Sequence, residues 1–343
     1  MRKYLLPETG NFYKANMHCH STVSDGLYTP AELKRRYMEQ GYSIIAYTDH
    51  GVMVSHMDLA DENFLPLIGY EVAFAERESV NGNPLRKKST HLNLITLDPD
   101  HVVHVCKNRQ SPKPTSPMGP YLKDRKFLYE DEPDFFQYHT PECINEVIRR
   151  GRENGFFVTY NHPVWSLDDY NDYMNFHGMH AVEIINYSGQ CGGHNDYCEH
   201  VYDDMLRGGE RIFCVGGDDN HNTRPDRRDD SFGGFTVFKA EKLDYKTIAD
   251  ALLAGNFYAS EGPEIYDLWY EDGKVHIDCS DADRIILHTD SRRAQMAHRK
   301  AGETLTSADF DVDPRDEYVR ITVIDGAGKH ADTNAYFIDE LMK

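Results

Sequence analysis

The sequence carries 18 histidines in 343 residues, several of them beside carboxylates in short polar clusters. In His18-Cys19-His20 two imidazoles stand at i, i+2. On a strand they share one side and can share a metal ion. In so histidine-rich a chain that pair alone is weak evidence, but the clusters that follow strengthen it. Asp25 stands in Ser24-Asp25-Gly26, His50 follows Thr48-Asp49, and Glu71 follows Gly69-Tyr70. His91 opens HLNLITL, His162 stands in Asn161-His162-Pro163, and Asp219 and His221 flank Asn220. These nine nitrogen and oxygen donors, without a thiolate, suit Zn, Mn, Fe or a similar divalent ion. They are too many for one ion and suit two or three, with a bridging carboxylate. Each residue also has a structural reading: Asp25 before Gly26 suits a turn, and Asp49 suits a cap or a partner that orients a ligand. Recurrence at successive strand ends favours metal binding.

Such donors must be carried by strands that end together. The apolar runs YKANMHCHS, YSIIAYTDH, LPLIGYE, THLNLITL, GFFVTYNHP, HAVEIINYSG and RIFCVGGDDNH, then GGFTVFKA, read as buried strands. Helix signals lie between them. Thr29-Pro30-Ala31-Glu32 offers an N-cap, a first-turn proline and a capping-box Glu, with Gly41 as the stop. Thr140-Pro141 opens a second helix stopped by Gly155, Asn195–Leu206 reads as a third, and Asp244–Ala254, stopped by Gly255, as a fourth. Strand–helix alternation predicts an α/β barrel or doubly wound sheet, and polar clusters at strand ends favour the barrel. Residues 1–261 are expected to form this unit. Residues 98–139, rich in proline and charge, read as an irregular insertion over the surface, a lid or rim. Residues 262–343 read as a small all-β domain of sandwich type. The pairs His101/His104 and His177/His180 read as surface histidines.

The order and spacing of His18-x-His20, Ser24-Asp25-Gly26, Thr48-Asp49-His50, Glu71, His91, Asn161-His162-Pro163 and Asp219-Asn220-His221 resemble the PHP (polymerase and histidinol phosphatase) superfamily across residues 14–222. The stretch SFGGFTVFKAEKL…ADALLAGNFYASEGPEI resembles its CehA/McbA branch, which also carries a C-terminal β domain. The resemblance implies a distorted seven-stranded (β/α) barrel with a trinuclear centre. His18, His20, Glu71 and Asp219 would hold one ion, Glu71 would bridge to a second held with His91 and His162, and Asp25, His50 and His221 would hold a third.

Hydroxide held between two cations is a strong nucleophile at neutral pH, and the same cations neutralise charge on phosphoryl oxygens. The expected activity is metal-dependent hydrolysis of a small phosphorylated substrate, a nucleotide or sugar phosphate, with the hydroxide held by His18, His20, Glu71 and Asp219. Hydrolysis of a carbamate, ester or amide on the same site is the alternative, and a non-catalytic metal-stabilised scaffold is a third reading. His194 is either the leaving-group acid or a loop histidine. Arg224, Arg227 and Arg228 either bind substrate phosphate or pair with Asp226, Asp229 and Asp230 around them. Trp165 either stacks on a substrate ring or packs.

Composition narrows the partners. A net charge of −20 argues against polymeric nucleic acid and against an anionic membrane surface. No apolar run approaches the roughly 20 residues of a membrane span, and MRKYLLPETG lacks a signal-peptide apolar region. Seven cysteines without a C-x-x-C pair fit a reduced cytoplasmic protein.

Overall fold

Among the described residues the eight apolar runs form strands, and two further strands, β1 and β10, join them before residue 262: β1 Lys3–Tyr4, β2 Asn11–Cys19, β3 Tyr42–Tyr47, β4 Leu65–Ala75, β5 Ser89–Thr96, β6 Phe156–Asn161, β7 Ala181–Asn186, β8 Phe213–Gly217, β9 Phe235–Ala240 and β10 Phe257–Ser260. The structure is a computed structural model that describes residues 2–78, 82–108, 119–123, 125–223 and 229–343. It is a mixed α/β protein with one large sheet and a β-rich C-terminal region.

Strands β2 to β8 are hydrogen-bonded neighbours in chain order. β2, β3 and β4 run parallel, as do β6, β7 and β8, but β5 is antiparallel to both β4 and β6. The reversal brings the start of β5 to the rim where its neighbours end, which is why His91, at a strand start, pairs with Ala73 and Asn161. β8 returns beside β2 through a single parallel bridge, Cys19–Asn220, and the Asp219 N–H donates to His18 O at 2.8 Å. The first and last of these strands therefore meet at the polar rim.

Three of the four expected helices form where their caps predict. Thr29 and Glu32 make a reciprocal capping box on the helix Pro30–Met38. Thr140 caps Pro141–Glu153, which buries Ile144, Val147 and Ile148. Asp244 caps Tyr245–Ala254, and Gly255 ends it at φ 70°. The other helix begins at Glu199, not Asn195. Residues before it are extended, with an Ile185–Tyr197 bridge, because the buried Asp196 turns inward and accepts the Trp165 N–H at 3.3 Å.

The C-terminal strands are β11 Ile265–Glu271, β12 Lys274–Cys279, β13 Arg284–Thr289, β14 Gln295–His298, β15 Ser307–Asp311, β16 Tyr318–Ile324, β17 His330–Thr333 and β18 Tyr336–Phe337. They form two sheets around one core that holds Leu268, Val275, Ile277, Ile285, Leu287 and Val319. One sheet has the order β1-β11-β12-β15, so the N-terminal strand belongs to it; the other joins the large sheet where β17 pairs with β10.

The described part of 98–139 is less superficial than its composition suggests. Val105 and Cys106 enter the main core, and Ala75 of β4 bridges Tyr138. Two expected surface histidines are packed instead. His104 is 3% exposed, tilts against Tyr70 and accepts the Met53 N–H. His180 stacks on Phe157 and accepts the Val158 N–H. Among the described residues no helix is long and apolar enough to cross a membrane.

Candidate metal centre

The rim of β2–β8 gathers all nine donors. They fall into overlapping groups: His20, Asp25, His50 and His221; His18, Glu71 and His162; His18, His20 and Asp219; His50, Glu71 and His91. Glu71, wholly buried on β4, is the hub. Its Oε1 lies 3.2 Å from His18 Nε2, 2.9 Å from His91 Nδ1 and 3.2 Å from His162 Nε2. Its Oε2 lies 2.7 Å from His50 Nδ1 and 3.5 Å from His20 Nε2. Asp219 Oδ1 reaches His18 and His20 at 3.2 and 3.0 Å. Asp25, half exposed, faces His50 at 3.7 Å and His221 at 3.5 Å. His162 and Asp219 hold left-handed backbone (φ 29° and 53°), a strained state that packed surroundings must impose.

This set fits cations. Glu71 Oε2 is buried and makes no hydrogen bond, although His50 Nδ1 is close. His18 Nε2 and His20 Nε2 face each other at 3.2 Å, so at most one proton fits between them. Lone pairs and carboxylate oxygens aimed at shared points are the makings of coordination spheres. The electrostatics agree. Burial alone would raise the Glu71 pKa, but His91, His18 and His50, with the His162 hydrogen bond, hold it well below the carboxylate range. Burial, helped by His221 and His50, pushes His20 down to about 3. His50 goes the other way, up to about 9, because Glu71 outweighs its burial.

Two carboxylates orient the donors. Asp49 accepts from Ser21 N and Ser24 N at 2.8 and 3.1 Å and from both serine hydroxyls, which fixes the turn bearing Asp25. Gly26 closes that turn so tightly that a Cβ would lie 2.4 Å from His20 O. Glu183, which the sequence reading missed, lies buried on β7. It takes His18 Nδ1 at 3.1 Å, the His162 N–H at 3.0 Å and Asn186 Nδ2 at 2.9 Å. Its signal was a lone charge inside the apolar run HAVEIIN.

A cavity of about 890 Å³ opens over the cluster. Trp165 and His194 both line it. Trp165 is 44% exposed, with its ring 5.2 and 5.0 Å from those of His91 and His162. Asp229 and Asp230 also line it; Asp229 pairs with Arg36, and Asp230 accepts the N–H groups of His221 and Asn222. Arg224, Arg227 and Arg228 lie outside the described residues.

The model of the PHP domain family matches residues 16–213. The chain belongs to the PHP domain family. Seven of the nine donors lie inside the matched PHP span, and Asp219 and His221 follow it. Among solved structures, the chain is similar to a two-domain Bacteroides vulgatus protein containing a predicted PHP-like metal-dependent phosphoesterase. The two are 14% identical over 97% of this chain and 98% of that one, with a TM-score of 0.45. A Bifidobacterium adolescentis protein proposed to be a metal-dependent phosphoesterase is 16% identical over 73% of this chain and 98% of its own, with a TM-score of 0.39. A 5'-3' exoribonuclease of Haemophilus influenzae is 49% identical over 37 residues. That match spans 11% of this chain and 14% of the exoribonuclease.

Proposed function

We propose that the protein is a metal-dependent phosphoesterase of the CehA/McbA-like branch, acting on a small phosphorylated molecule of the nucleotide or sugar-phosphate kind. The observation that carries this is Glu71, one buried carboxylate with five imidazole nitrogens at 2.7–3.5 Å. A hub of that kind would hold two or three Zn, Mn or Fe ions, with Glu71 shared between two of them and Asp25, His50 and His221 available to a third. Bound divalent cations supply Lewis-acid charge for a phosphoryl group and a nucleophile drawn from water at neutral pH. The chain's own part is positional. Glu183 fixes the ring of His18, Asp49 fixes the Asp25 turn, and Trp165 walls the cavity where a planar leaving group would stack. His194, on the same wall, is our candidate for protonating the leaving group. The arginines at 224, 227 and 228 follow the His221 end of the site in sequence and are our candidates for contacting phosphate. The branch assignment rests on the SFGGFTVFKAEKL stretch and the β-rich C-terminal region. Seven cysteines without a disulfide fit a reducing compartment, the cytoplasm.

One observation favours a second reading, hydrolysis of a carbamate, ester or amide on the same centre. Among the described residues lining the large cavity there is no Lys or Arg, while Asp25, Asp229 and Asp230 are present. The deciding experiment strips the protein with chelator and reloads it with Zn, Mn or Fe. It is then assayed on an aryl phosphate, nucleotides and sugar phosphates beside an aryl carbamate. Phosphate-ester turnover that is lost in Glu71→Gln is expected. Turnover of the carbamate alone selects the second reading, and inactivity on every substrate leaves a metal-stabilised scaffold.

A further inference from the structure

A second cavity, of about 140 Å³, borders the same cluster. His50, Glu71 and His91 line both cavities. The opposite wall of the small one comes from the segment between β5 and the helix Pro141–Glu153, and includes His104, Asn108, Arg125, Phe127 and Gln137. The two cavities differ in charge. The large one is rich in carboxylates. In the small one Arg125 is the sole Lys or Arg among the described lining residues, and Glu71, already engaged by five imidazoles, is the sole carboxylate.

Arg125 is held in place. Its Nη1 donates to Asn108 O at 3.2 Å, and its guanidinium carbon lies 5.4 Å from the centroid of Phe127. Asn108 Nδ2 donates to Gln137 Oε1 at 3.3 Å, and Gln137 O accepts the N–H of Ala75. The guanidinium is thus tied to β4, the strand that carries Glu71. His104 adds a neutral ring, since burial pushes its pKa down to about 4. The space holds roughly four or five waters at the ~30 Å³ each occupies in the liquid, which suits one tetrahedral oxyanion. A fixed guanidinium and amides around such a space form an oxyanion site.

We propose that this cavity is an oxyanion subsite in which Arg125 binds the phosphoryl group beside the metal cluster, before cleavage and as the phosphate product after it. Its role in turnover rests on the phosphoesterase reading; the binding is measured without turnover. Inorganic phosphate is titrated calorimetrically into metal-loaded wild type, Arg125→Gln and Arg125→Lys, with metal content and melting temperature recorded for each. The Gln variant is expected to bind phosphate about tenfold more weakly or worse, and the Lys variant, which keeps the charge but not the fork, to lose less. In wild type, phosphate is expected to slow phenylglyoxal labelling of Arg125, read by peptide mass spectrometry. This measurement decides alone if the Gln variant fails to fold.

No measurable phosphate binding to wild type, unchanged affinity in a folded Gln variant, or no protection of Arg125 overturns the proposal. Arg125-dependent phosphate binding in an enzyme that cleaves only carbamates keeps the subsite and fells the phosphoesterase reading. Phosphate-ester turnover with KM and phosphate inhibition unchanged in Arg125→Gln does the reverse.

Discussion

Replacing Glu183 by Gln keeps the shape of the side chain and changes one acceptor into a donor. Oε2 accepts two donors, the His162 N–H at 3.0 Å and Asn186 Nδ2 at 2.9 Å. The amide oxygen of the variant must stay there, because an NH2 group would face both donors. The NH2 group then faces His18 Nδ1, which in wild type lies 3.1 Å from Glu183 Oε1. It drives Nδ1 to accept and moves the ring proton to Nε2. Nε2 is the nitrogen aimed at Glu71 and Asp219, both at 3.2 Å, and a protonated Nε2 cannot ligate. Loss of such an orienting carboxylate weakens metal binding by about 10–100-fold, or about 1.4–2.8 kcal/mol. The loss of one buried hydrogen bond falls in the same range, about 1–3 kcal/mol. The assay is a competition titration of stripped protein against a chromophoric chelator, with Zn and with Mn. Melting of the metal-free forms checks the fold. If folded Glu183→Gln binds every ion with wild-type affinity, His18 is not oriented by Glu183 and the reasoning fails.

Three further outcomes are expected. Arg320 is wholly buried and reaches Glu199 at 2.6 Å, Asp203 at 2.7 Å and Asp332 at 3.4 Å. Arg320→Met should lower unfolding stability by about 3 kcal/mol, the low end for a broken buried pair, because Glu199 and Asp203 keep some water; urea unfolding measures it, and a loss below a third of that refutes it. His139 lies 2.8 Å from Asp168; burial opposes its charge, but that hydrogen bond and charge win and raise its pKa. Its stabilisation is therefore complete below the ordinary imidazole value and lost as pH rises through the raised one. The melting-temperature gap between wild type and His139→Gln should be wide near about pH 5.5 and narrow near about pH 9, and a gap that widens with pH contradicts this. Finally, the chain has two tryptophans, and Trp165 touches His91 and His162. In Trp269→Phe, metal addition should change the fluorescence of Trp165; a silent titration with demonstrated binding places the ions elsewhere.

Most of the nine candidate side chains were legible in the sequence because they stand at or near strand ends, which are marked by a sharp change from apolar to polar residues; Glu71 instead lies inside β4, which runs on to Ala75. The helices at 30, 141 and 245 were legible for a similar reason, since a capping Thr or Asp is a local contact. Glu183 was not, because a carboxylate inside a strand reads as a solvated face until the opposite wall is known, and that wall is built by His18 and His162. His104 and His180 looked superficial for the converse reason: spacing cannot tell that a ring accepts a backbone N–H from a segment far away in the chain. Arg125 lay in a stretch whose prolines and charges masked the residues that pack on β4. The start of the third helix moved because Asp196 is committed to Trp165, a contact between loops that no periodicity encodes.

The pairing of β1 with β11 joins Lys3 and Tyr4 to Tyr270 and Trp269. During synthesis, Lys3 and Tyr4 leave the ribosome long before Trp269 and Tyr270 exist to pair with them. At about 5–20 residues per second, the delay is roughly 13–50 s. The last donor, His221, also emerges before that pairing can form. The strands that carry the nine clustered side chains can therefore come together while β1 still waits. The β1–β11 clasp forms late and couples the stability of the finished protein to its C-terminal sheet. A high-contact-order closure of this kind slows folding. It also makes a chain interrupted before residue 265 a species with an unpaired strand, suited to recognition by chaperones or proteases.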